Sequence, residues 1–315
     1  MPIEFHKGQD FINEDIQEEA FIIKPIVPRS GIVLFHGAPG TGKSVLTWNL
    51  ANAIASDSHN FLDFDCAEGK VLFINIDMPK HGLWYRWKQA GFQPMFDLVI
   101  STPFDCCGPV FKLSDIYKQL KEIVKDGNYG LIIVDALGEV CIGGSTSSDD
   151  LPMRVYSCFK EWFPHSCIMF IHHDRKRKVL DTGGLAPASH EDFSGSQYWL
   201  AYSTVALHLY RRNSEVRILD HTKSQVSELL EPKQIYLDES GVSVALWDEH
   251  QQALESKQLE DAYVLAAKIN PNWGKLNDSQ RLKLVATLVG KSVRTIWRWK
   301  KAMGEMNNDE MVSAT

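Results

Sequence analysis

Short apolar segments alternate with segments of helical periodicity along the first 250 residues. The apolar segments are rich in β-branched residues and lack polar alternation, as buried parallel strands do. They lie at 31–37, 70–77, 96–102, 129–137, 167–173 and 203–210. Helical patterns fit between them, at 43–54, 113–125 and 153–163. This alternation predicts an α/β fold with a mostly parallel, doubly wound sheet.

The pattern changes towards the C-terminus. Residues 215–221 and 233–247 have the composition of antiparallel strands, and the second segment folds back as a hairpin around 239–241. From about residue 251 the apolar positions follow helical spacing. We therefore predict four regions, which are a lead-in segment at 1–30, the α/β domain at 31–250, a small all-α domain at 251–303 and a disordered tail at 304–315.

Composition narrows the class of protein. The chain of 315 residues has no run of about 18 apolar residues, so we expect no membrane span. The N-terminus is polar and acidic, unlike a secretion signal. The six cysteines lack the paired spacing of a zinc site, which suits free thiols in a reducing compartment. These features predict a cytoplasmic protein.

Charge is unevenly distributed along the chain. The net charge is −7, yet the segment 275–301 carries eight basic residues and one acid, or +7. A basic C-terminal module on an acidic body indicates an anionic partner for that module.

A glycine-rich loop follows the first predicted strand and precedes a predicted helix. It fits the pattern G-x-x-x-x-G-K-[ST], in which backbone N–H groups surround a phosphate chain. The predicted ATP-binding residues are Gly37, Ala38, Pro39, Gly40, Thr41, Gly42, Lys43, Ser44 and Val45. Lys43 would reach the terminal phosphates, and Ser44 would bind Mg²⁺. Asp135 ends a buried strand and would hold the same ion, although an acid there could also be a strand-end cap.

Three further segments occur in an order that resembles one group of P-loop proteins. They are DMPKHGLWYR at 77–86, HHDRK at 172–176 and FSGSQ at 193–197. Over residues 25–247 the chain is similar to RecA-like ATPases, in particular to hexameric replicative DNA helicases of the RepA and DnaB type. The resemblance implies that Asp77 polarises the attacking water, although Asp77 is one methylene shorter than the usual glutamate and could instead cap a helix. It also implies that His173, rather than His172, senses the γ-phosphate.

The same resemblance implies contacts with DNA and with a neighbouring subunit. The segment 174–192 would face a central channel, where four consecutive cations, Arg175, Lys176, Arg177 and Lys178, suit single-stranded DNA. Such a run could also be a solvated turn. Lys223 would act on the neighbour's ATP or be an ordinary surface lysine. Gln225 stands where those helicases have an arginine, and Arg211 or Arg212 could substitute.

Residues 280–301 have the spacing of a helix-turn-helix. Ala286 occupies the small-residue position at the helix crossing, Gly290 the left-handed turn, and Ile296 the core anchor. The second helix and its turn would present six residues to DNA. They are Lys291, Arg294, Thr295, Trp297, Arg298 and Lys301. A protein-docking module of the same shape remains the alternative.

Together these features predict an ATP-dependent, ring-forming DNA helicase or translocase of phage or plasmid-type replication. We expect a hexameric homo-oligomer that uses ATP and Mg²⁺ and moves on single-stranded DNA, with a replication initiator or primase acting in trans. Two alternatives stay open, which are a RecA-like recombination or repair ATPase and an ATP-switched helix-turn-helix regulator that does not unwind DNA.

Overall fold

A computed structural model describes residues 21–100, 127–140, 147–175, 192–238 and 241–302, together with positions 5, 7, 120 and 122. The chain forms two compact units, Met1–Ala245 and Leu246–Thr315. The predicted helix at 113–125 falls almost wholly outside the described residues, as do Lys176, Arg177, Lys178 and the tail at 304–315.

The first unit is built on one large sheet. In chain order the described strands are β1 Phe21–Ile23, β2 Val27–Pro28, β3 Gly31–Gly37, β4 Asn60–Phe61, β5 Phe64–Asp65, β6 Lys70–Asn75, β7 Asp97–Ile100, β8 Tyr129–Asp135, β9 Cys167–His173, β10 Val205–Arg211, β11 Val216–Ser224, β12 Lys233–Leu237 and β13 Val244–Leu246. Nine of them form the sheet in the order β13-β12-β11-β10-β3-β9-β8-β6-β7. Neighbouring strands in the run β10-β3-β9-β8-β6-β7 pair in parallel. The pairs β10–β11 and β11–β12 are antiparallel. The predicted fold class is therefore confirmed.

Helices connect the strands and continue into the second unit. They are α1 Lys43–Ala55, α2 Lys80–Ala90, α3 Leu137–Val140, α4 Leu151–Trp162, α5 Tyr198–Ala201, α6 Trp247–Ile269, α7 Asp278–Val289 and α8 Val293–Ala302. On one face of the sheet, α4 packs Val155, Tyr156 and Phe159 against alternate residues of the central strands. Because side chains alternate across a strand, the residues between them face the opposite side of the sheet.

The position of β3 determines where the phosphate loop lies. This strand is paired with β9 on one side and β10 on the other. Its loop therefore leaves the carboxyl edge of a parallel sheet between two neighbours, which is where open α/β folds bind ligands. Parallel pairing also brings the ends of β8 and β9 to the same edge.

Two small ribbons were not predicted from the sequence. The segment assigned as a lead-in contains β1 and β2, which pair with one another and bury Ile23 and Val27 completely. The pair β4 and β5 is equally short. Strands of two or three residues are too short to show a hydrophobic period, so pattern analysis does not detect them.

The second unit is helical, with a core of its own formed by α6, α7, α8 and the short 3₁₀ helix Trp273–Lys275. A capping box begins α7, because Asn277 accepts a hydrogen bond from the Gln280 backbone and the Gln280 side chain accepts one from the Asn277 N–H. Gly290 ends this helix with φ +66°, a conformation that favours glycine. Ala286 and Ile296 are buried in the core.

Among the described residues, no helix has the combination of length and apolar composition that crossing a bilayer requires.

Candidate functional site

A cleft of about 530 Å³ opens at the carboxyl edge of the sheet beside the glycine-rich loop. Its lining includes loop residues between Pro39 and Val45 together with Asp77, Asp135 and His173. These groups come from the ends of three parallel strands and the start of α1. The structure thus brings together the loop and three of the predicted catalytic residues, whereas Lys223 is not part of the lining.

The glycine at position 42 is required by both its conformation and its surroundings. It precedes α1 with φ +103°, where L side chains are strained. A Cβ placed there would lie 2.2 Å from Leu237 Cδ1 on β12. A side chain at this position would have to displace the end of the Leu237 side chain, which forms one wall of the cleft.

Lys43 is held beneath the loop by hydrogen bonds. Its Nζ donates to Gly37 O at 2.6 Å and Ala38 O at 3.1 Å, and lies 3.3 Å from Nδ1 of His173. Burial lowers the pKa of Lys43 to about 8, opposed by the attraction of Asp135. A buried ammonium at the start of a helix supplies positive charge for a phosphate chain.

Asp135 and Ser44 form the oxygen-rich corner of the cleft. Asp135 is 4% exposed, and burial raises its pKa to about 6, against a hydrogen bond from Ser44 that lowers it. A hydroxyl and a carboxylate in contact are the ligands that Mg²⁺ accepts in nucleotide sites. The pair therefore fits the predicted ion.

Asp77 lies next to Asp135 through the backbone. The carbonyl of Asp135 accepts hydrogen bonds from Ile76 N at 2.6 Å and Asp77 N at 3.1 Å. The Asp77 carboxylate is exposed and faces the cleft. It does not cap α2, whose N-cap is Pro79 and which has no side-chain cap. This placement leaves the carboxylate available to orient a water molecule.

Removal of this carboxylate should impair turnover without affecting folding. We expect Asp77→Ala to lower kcat roughly 100- to 10,000-fold, because a positioned base contributes about that much. Asp77→Glu should retain most of the activity. Because the side chain is exposed, the free energy of unfolding should change by less than about 0.5 kcal/mol. Equal kcat values for Asp77→Ala and the wild type in a phosphate-release assay would remove Asp77 from the mechanism.

The two histidines at the end of β9 face opposite sides of the sheet. His173 faces the cleft, and burial and the nearby Lys43 lower its pKa. His172 is buried on the other face, where its Nε2 donates to Ser194 O at 2.5 Å. Burial lowers the pKa of His172 to about 4. His173 is therefore the member of the pair that lines the cleft, and its role as a sensor of the γ-phosphate stays a prediction.

A buried cluster that was not predicted lies behind the loop. Asp174 Oδ1 accepts from His36 Nδ1 at 2.8 Å, and Oδ2 accepts from His208 Nε2 at 3.1 Å. Burial alone would raise the pKa of Asp174, but the hydrogen bonds from His208 and His36 hold it below its usual range. The carboxylate thus joins the end of β9 to the end of β3 and the middle of β10.

These three side chains are of types that bind metals, but their geometry does not fit one ion. The two imidazole rings are stacked, with centroids 4.4 Å apart and planes 7° from parallel. An imidazole nitrogen binds a metal in its ring plane at about 2.0–2.1 Å. Lone pairs in two parallel, separated planes do not converge at that distance, so the cluster is a hydrogen-bonded clamp.

The antiparallel end of the sheet supplies a second wall of the cleft. Four of the residues on this wall were not predicted from the sequence, and they are Arg217, Leu237, Asp238 and Gly241. Asp238 Oδ1 accepts backbone hydrogen bonds at 3.2 and 3.0 Å from the hairpin that follows β12. Arg86 also lines the cleft and donates to Gly241 O at 2.8 Å.

Lys223 has a local structural partner. Its Nζ donates to Leu200 O at 2.7 Å, Ala201 O at 2.8 Å and Ser203 O at 2.6 Å, all at the end of α5. An ammonium has three N–H donors, so these contacts satisfy it completely. Action on a neighbouring subunit would require their release, and that role stays a prediction.

Only the first cation of the predicted DNA loop lies among the described residues. Arg175 is exposed, and its Nε donates to Phe193 O at 2.9 Å. Backbone hydrogen bonds join Arg175 to Asp192 at 2.6 Å and Ser194 to His173 at 2.9 Å. The two ends of the loop therefore meet directly beside His173.

Comparison with known proteins agrees with this geometry. The sequence profile of the AAA domain family matches residues 5–179, which is more than half of the chain. The chain belongs to the AAA domain family. This P-loop ATPase is also similar in fold to a solved structure described as the ATPase domain of G40P, with a TM-score of 0.52 and 10% identity over 69% of this chain and 85% of that one. No curated protein sequence matches the chain.

Proposed function

We propose that this ATPase couples ATP hydrolysis to movement along single-stranded DNA, as a ring-forming helicase or translocase of phage or plasmid-type replication. The observation that carries the proposal is the junction at the end of β9. His173 lies 3.3 Å from Lys43 in the phosphate cleft, and the next two residues begin the basic loop. Only Asp174 separates His173 from Arg175 in the chain. Movement of His173 when the γ-phosphate is lost would therefore shift the start of the basic loop.

The cleft residues have complementary roles in hydrolysis. Asp77 orients a water whose oxygen bonds to the γ-phosphorus, and the bond from that phosphorus to the β–γ bridging oxygen breaks. The electron pair leaves on ADP, and the proton of the water passes through Asp77 to solvent. Lys43 and the N–H groups of the loop stabilise the charge that develops on the phosphate oxygens.

Ser44 and Asp135 would hold Mg²⁺ in this reaction. The ion supplies positive charge that neutralises the β- and γ-phosphate oxygens. The contribution of the protein is to keep both oxygen ligands at one corner, with Asp135 buried so that its charge is directed at the ion.

The Asp174 clamp supports coupling to DNA. Asp174 N donates to Gly37 O at 3.2 Å, the same carbonyl that accepts from Lys43. The Asp174 carboxylate is fixed by His36 and His208. The loop therefore begins from a rigid point that contacts the phosphate loop, which favours transmission over independent movement.

The direct test is the dependence of ATPase rate on DNA. We expect single-stranded DNA to increase the rate of phosphate release by the wild-type chain, and the increase to fall as salt rises. A rate that single-stranded DNA leaves unchanged at low salt would contradict the proposal while leaving the ATPase assignment intact.

Loss of the basic loop should remove this stimulation. Replacing Arg175, Lys176, Arg177 and Lys178 with alanine should leave the basal rate within about twofold, because the described side-chain contacts of Arg175, to Phe193 O and Gly195 O, lie outside the cleft lining. The slope of log affinity for single-stranded DNA against log salt should decrease by about 0.7 for each lost phosphate contact. A charge-preserving variant with each arginine and lysine exchanged is the control. Undiminished stimulation in the alanine variant would show that DNA binds elsewhere.

We also propose that the second unit is a helix-turn-helix that binds duplex DNA. Trp297 is 53% exposed on α8, as contact with bases or sugars would require, whereas Trp299 belongs to the core. Lys291 and Arg294 are exposed nearby. The side chains of Arg298 and Lys301 lie outside the described residues. A protein-docking module would have less need for this concentration of positive charge.

An arginine on this surface should make a measurable phosphate contact. We expect Arg294→Ala to weaken duplex binding to a similar degree for all sequences and to reduce the salt slope by about one. Lys257→Ala, on the exposed face of α6, is the control and should bind as the wild type does. Fluorescence anisotropy with labelled duplex measures both. If Arg294→Ala and Lys257→Ala bind equally, α8 does not face the DNA backbone.

A second candidate function is an ATP-switched DNA-binding regulator with slow turnover. The observation that favours it is the commitment of Lys223 to three carbonyls, because a ring helicase needs a cation for the neighbouring site. This candidate predicts tight sequence-specific duplex binding and no strand separation.

A further inference from the structure

Two arginines face one another at the turn end of the hairpin β10–β11, beside the phosphate loop. Arg211 and Arg217 are direct partners in the antiparallel register. Arg211 Nη2 donates to Gly40 O at 2.5 Å, at the tip of the loop. Arg217 lines the cleft together with Lys43, Ser44 and Asp135. Both guanidinium groups therefore belong to the surroundings of the phosphate site.

The two facing guanidinium groups repel each other, and a bound anion would offset this repulsion. Like charges directly opposite one another on neighbouring strands destabilise a sheet. Burial lowers the pKa of Arg217, and repulsion from Arg211 lowers it further. Within the described parts of the chain, no carboxylate forms an ion pair with either arginine. A phosphate group in the cleft would supply the missing negative charge.

Hydrogen bonds from one nitrogen hold the guanidinium of Arg217 in place, and other N–H donors of the group remain without a partner among the described residues. Its Nη1 donates to Ser214 O at 3.1 Å and Glu215 O at 2.6 Å, in the turn between the two strands. Its Nε is buried and has no hydrogen-bond partner. An arginine has five N–H donors. Nη1 is occupied and Nε is enclosed, so the two N–H donors of Nη2 remain for a ligand in the cleft.

We propose that Arg217 contacts the phosphate chain of the ATP bound by its own subunit and stabilises the charge that develops during hydrolysis. The inference rests on the proposed ATP hydrolysis and deepens it. Arg211 holds the tip of the loop, and Arg217 provides the charge. A cation supplied within one chain makes turnover independent of a neighbour, as cis-acting arginines do in some P-loop enzymes.

A further feature of this chain suits a cation within the subunit. Lys223, the other candidate cation, donates all three of its N–H groups to carbonyls of its own chain. Arg217 lies on a strand that is already part of the ATP cleft.

The test compares Arg217→Ala, Arg217→Lys and the control Arg154→Ala, which should keep the wild-type rate. Arg154 is exposed on α4, lies outside the cleft lining, and its Nη1 is 3.7 Å from Asp150 Oδ2. We expect Arg217→Ala to lower kcat at least about 100-fold, because arginines of this kind contribute on the order of 1,000-fold or more. The Kd for ADP should change less than about threefold, and Arg217→Lys should recover part of the rate. A purely structural role would instead weaken ADP binding and lower kcat together.

Subunit mixing decides between action in cis and in trans. Arg217→Ala and Lys43→Ala chains carrying different tags are co-expressed, and complexes containing both are purified. If Arg217 acts in cis, neither chain has a complete site and turnover stays at the level of the single variants. Recovery of turnover in the mixed complexes, or a kcat for Arg217→Ala within twofold of wild type, would overturn the inference. Absence of turnover in the wild type would instead overturn the proposed function.

Discussion

Replacing Lys43 with alanine is expected to abolish ATP turnover, with a fall in kcat of roughly 100-fold or more. The ammonium is buried beneath the loop, 3.3 Å from His173, so its loss leaves this position at the phosphate loop without positive charge. Lys43→Met, which keeps most of the alkyl chain, should lose the same activity. Because burial lowers the pKa of Lys43 to about 8, wild-type turnover should also fall as pH rises through that value and the amine loses its proton.

The matched control is Lys88→Ala, an exposed lysine on α2 that does not line the cleft. It should hydrolyse ATP at the wild-type rate. Thermal unfolding of both variants excludes loss of structure as the cause. If Lys43→Ala retained the wild-type rate of phosphate release, the whole assignment of the cleft would be wrong.

Asp135→Asn is expected to lose turnover to a similar degree and to become more stable. Loss of the carboxylate removes a ligand for Mg²⁺ and should raise the Mg²⁺ concentration needed for half-maximal rate. Burial raises the pKa of Asp135 to about 6 in the folded chain, above its unfolded value. Its contribution to stability is therefore present at low pH and is lost as pH rises through about 6. At pH 7.5 the neutral amide avoids this loss, and Tm should rise by a few degrees.

The raised pKa of Asp135 also predicts how the turnover rate falls at acid pH. Wild-type turnover at low Mg²⁺ should fall as pH drops through about 6, because the protonated carboxyl no longer binds the ion. Higher Mg²⁺ should move this limb to lower pH, since the ion competes with the proton. An Asp135→Asn variant with normal turnover, or with lower Tm, would identify Asp135 as a structural cap of the strand.

The parts of the site that could be predicted from the sequence are those specified locally. The phosphate loop is continuous in sequence, and the acid at the end of β8 follows from a run of four apolar residues. The choice between His172 and His173 follows from strand alternation. In the second unit, Asn277, Gln280 and Gly290 carry cap and turn signals within a few residues of the helix ends.

The parts that could not be predicted depend on pairing between distant segments. Arg211 and Gly40, which bring the β10–β11 hairpin and the phosphate loop together, are 171 positions apart. Asp174 and His208 are 34 positions apart. A shift of one residue in register would turn these side chains to the other face. Hydrophobic periodicity predicts which residues form a strand. It does not predict which strand pairs with it, or in which register.

The Lys223 contacts illustrate the same limit. Lys223 was predicted from its position relative to a family motif. Its three hydrogen-bond partners are backbone carbonyls at the end of α5, 20 to 23 residues earlier in the chain. Side-chain bonds to backbone carbonyls have no sequence signature, because every residue has a carbonyl. A motif position alone therefore could not show that the ammonium is already satisfied.

The most direct measurement of the central claim is strand separation on a forked DNA duplex. The wild-type chain with ATP and Mg²⁺ is predicted to release the labelled strand, at a rate that depends on the single-stranded arm. The same chain with a non-hydrolysable ATP analogue, and Lys43→Ala with ATP, should release none. Robust ATP hydrolysis on the forked DNA without strand release or movement along the single-stranded arm would contradict the account and favour the ATP-switched regulator.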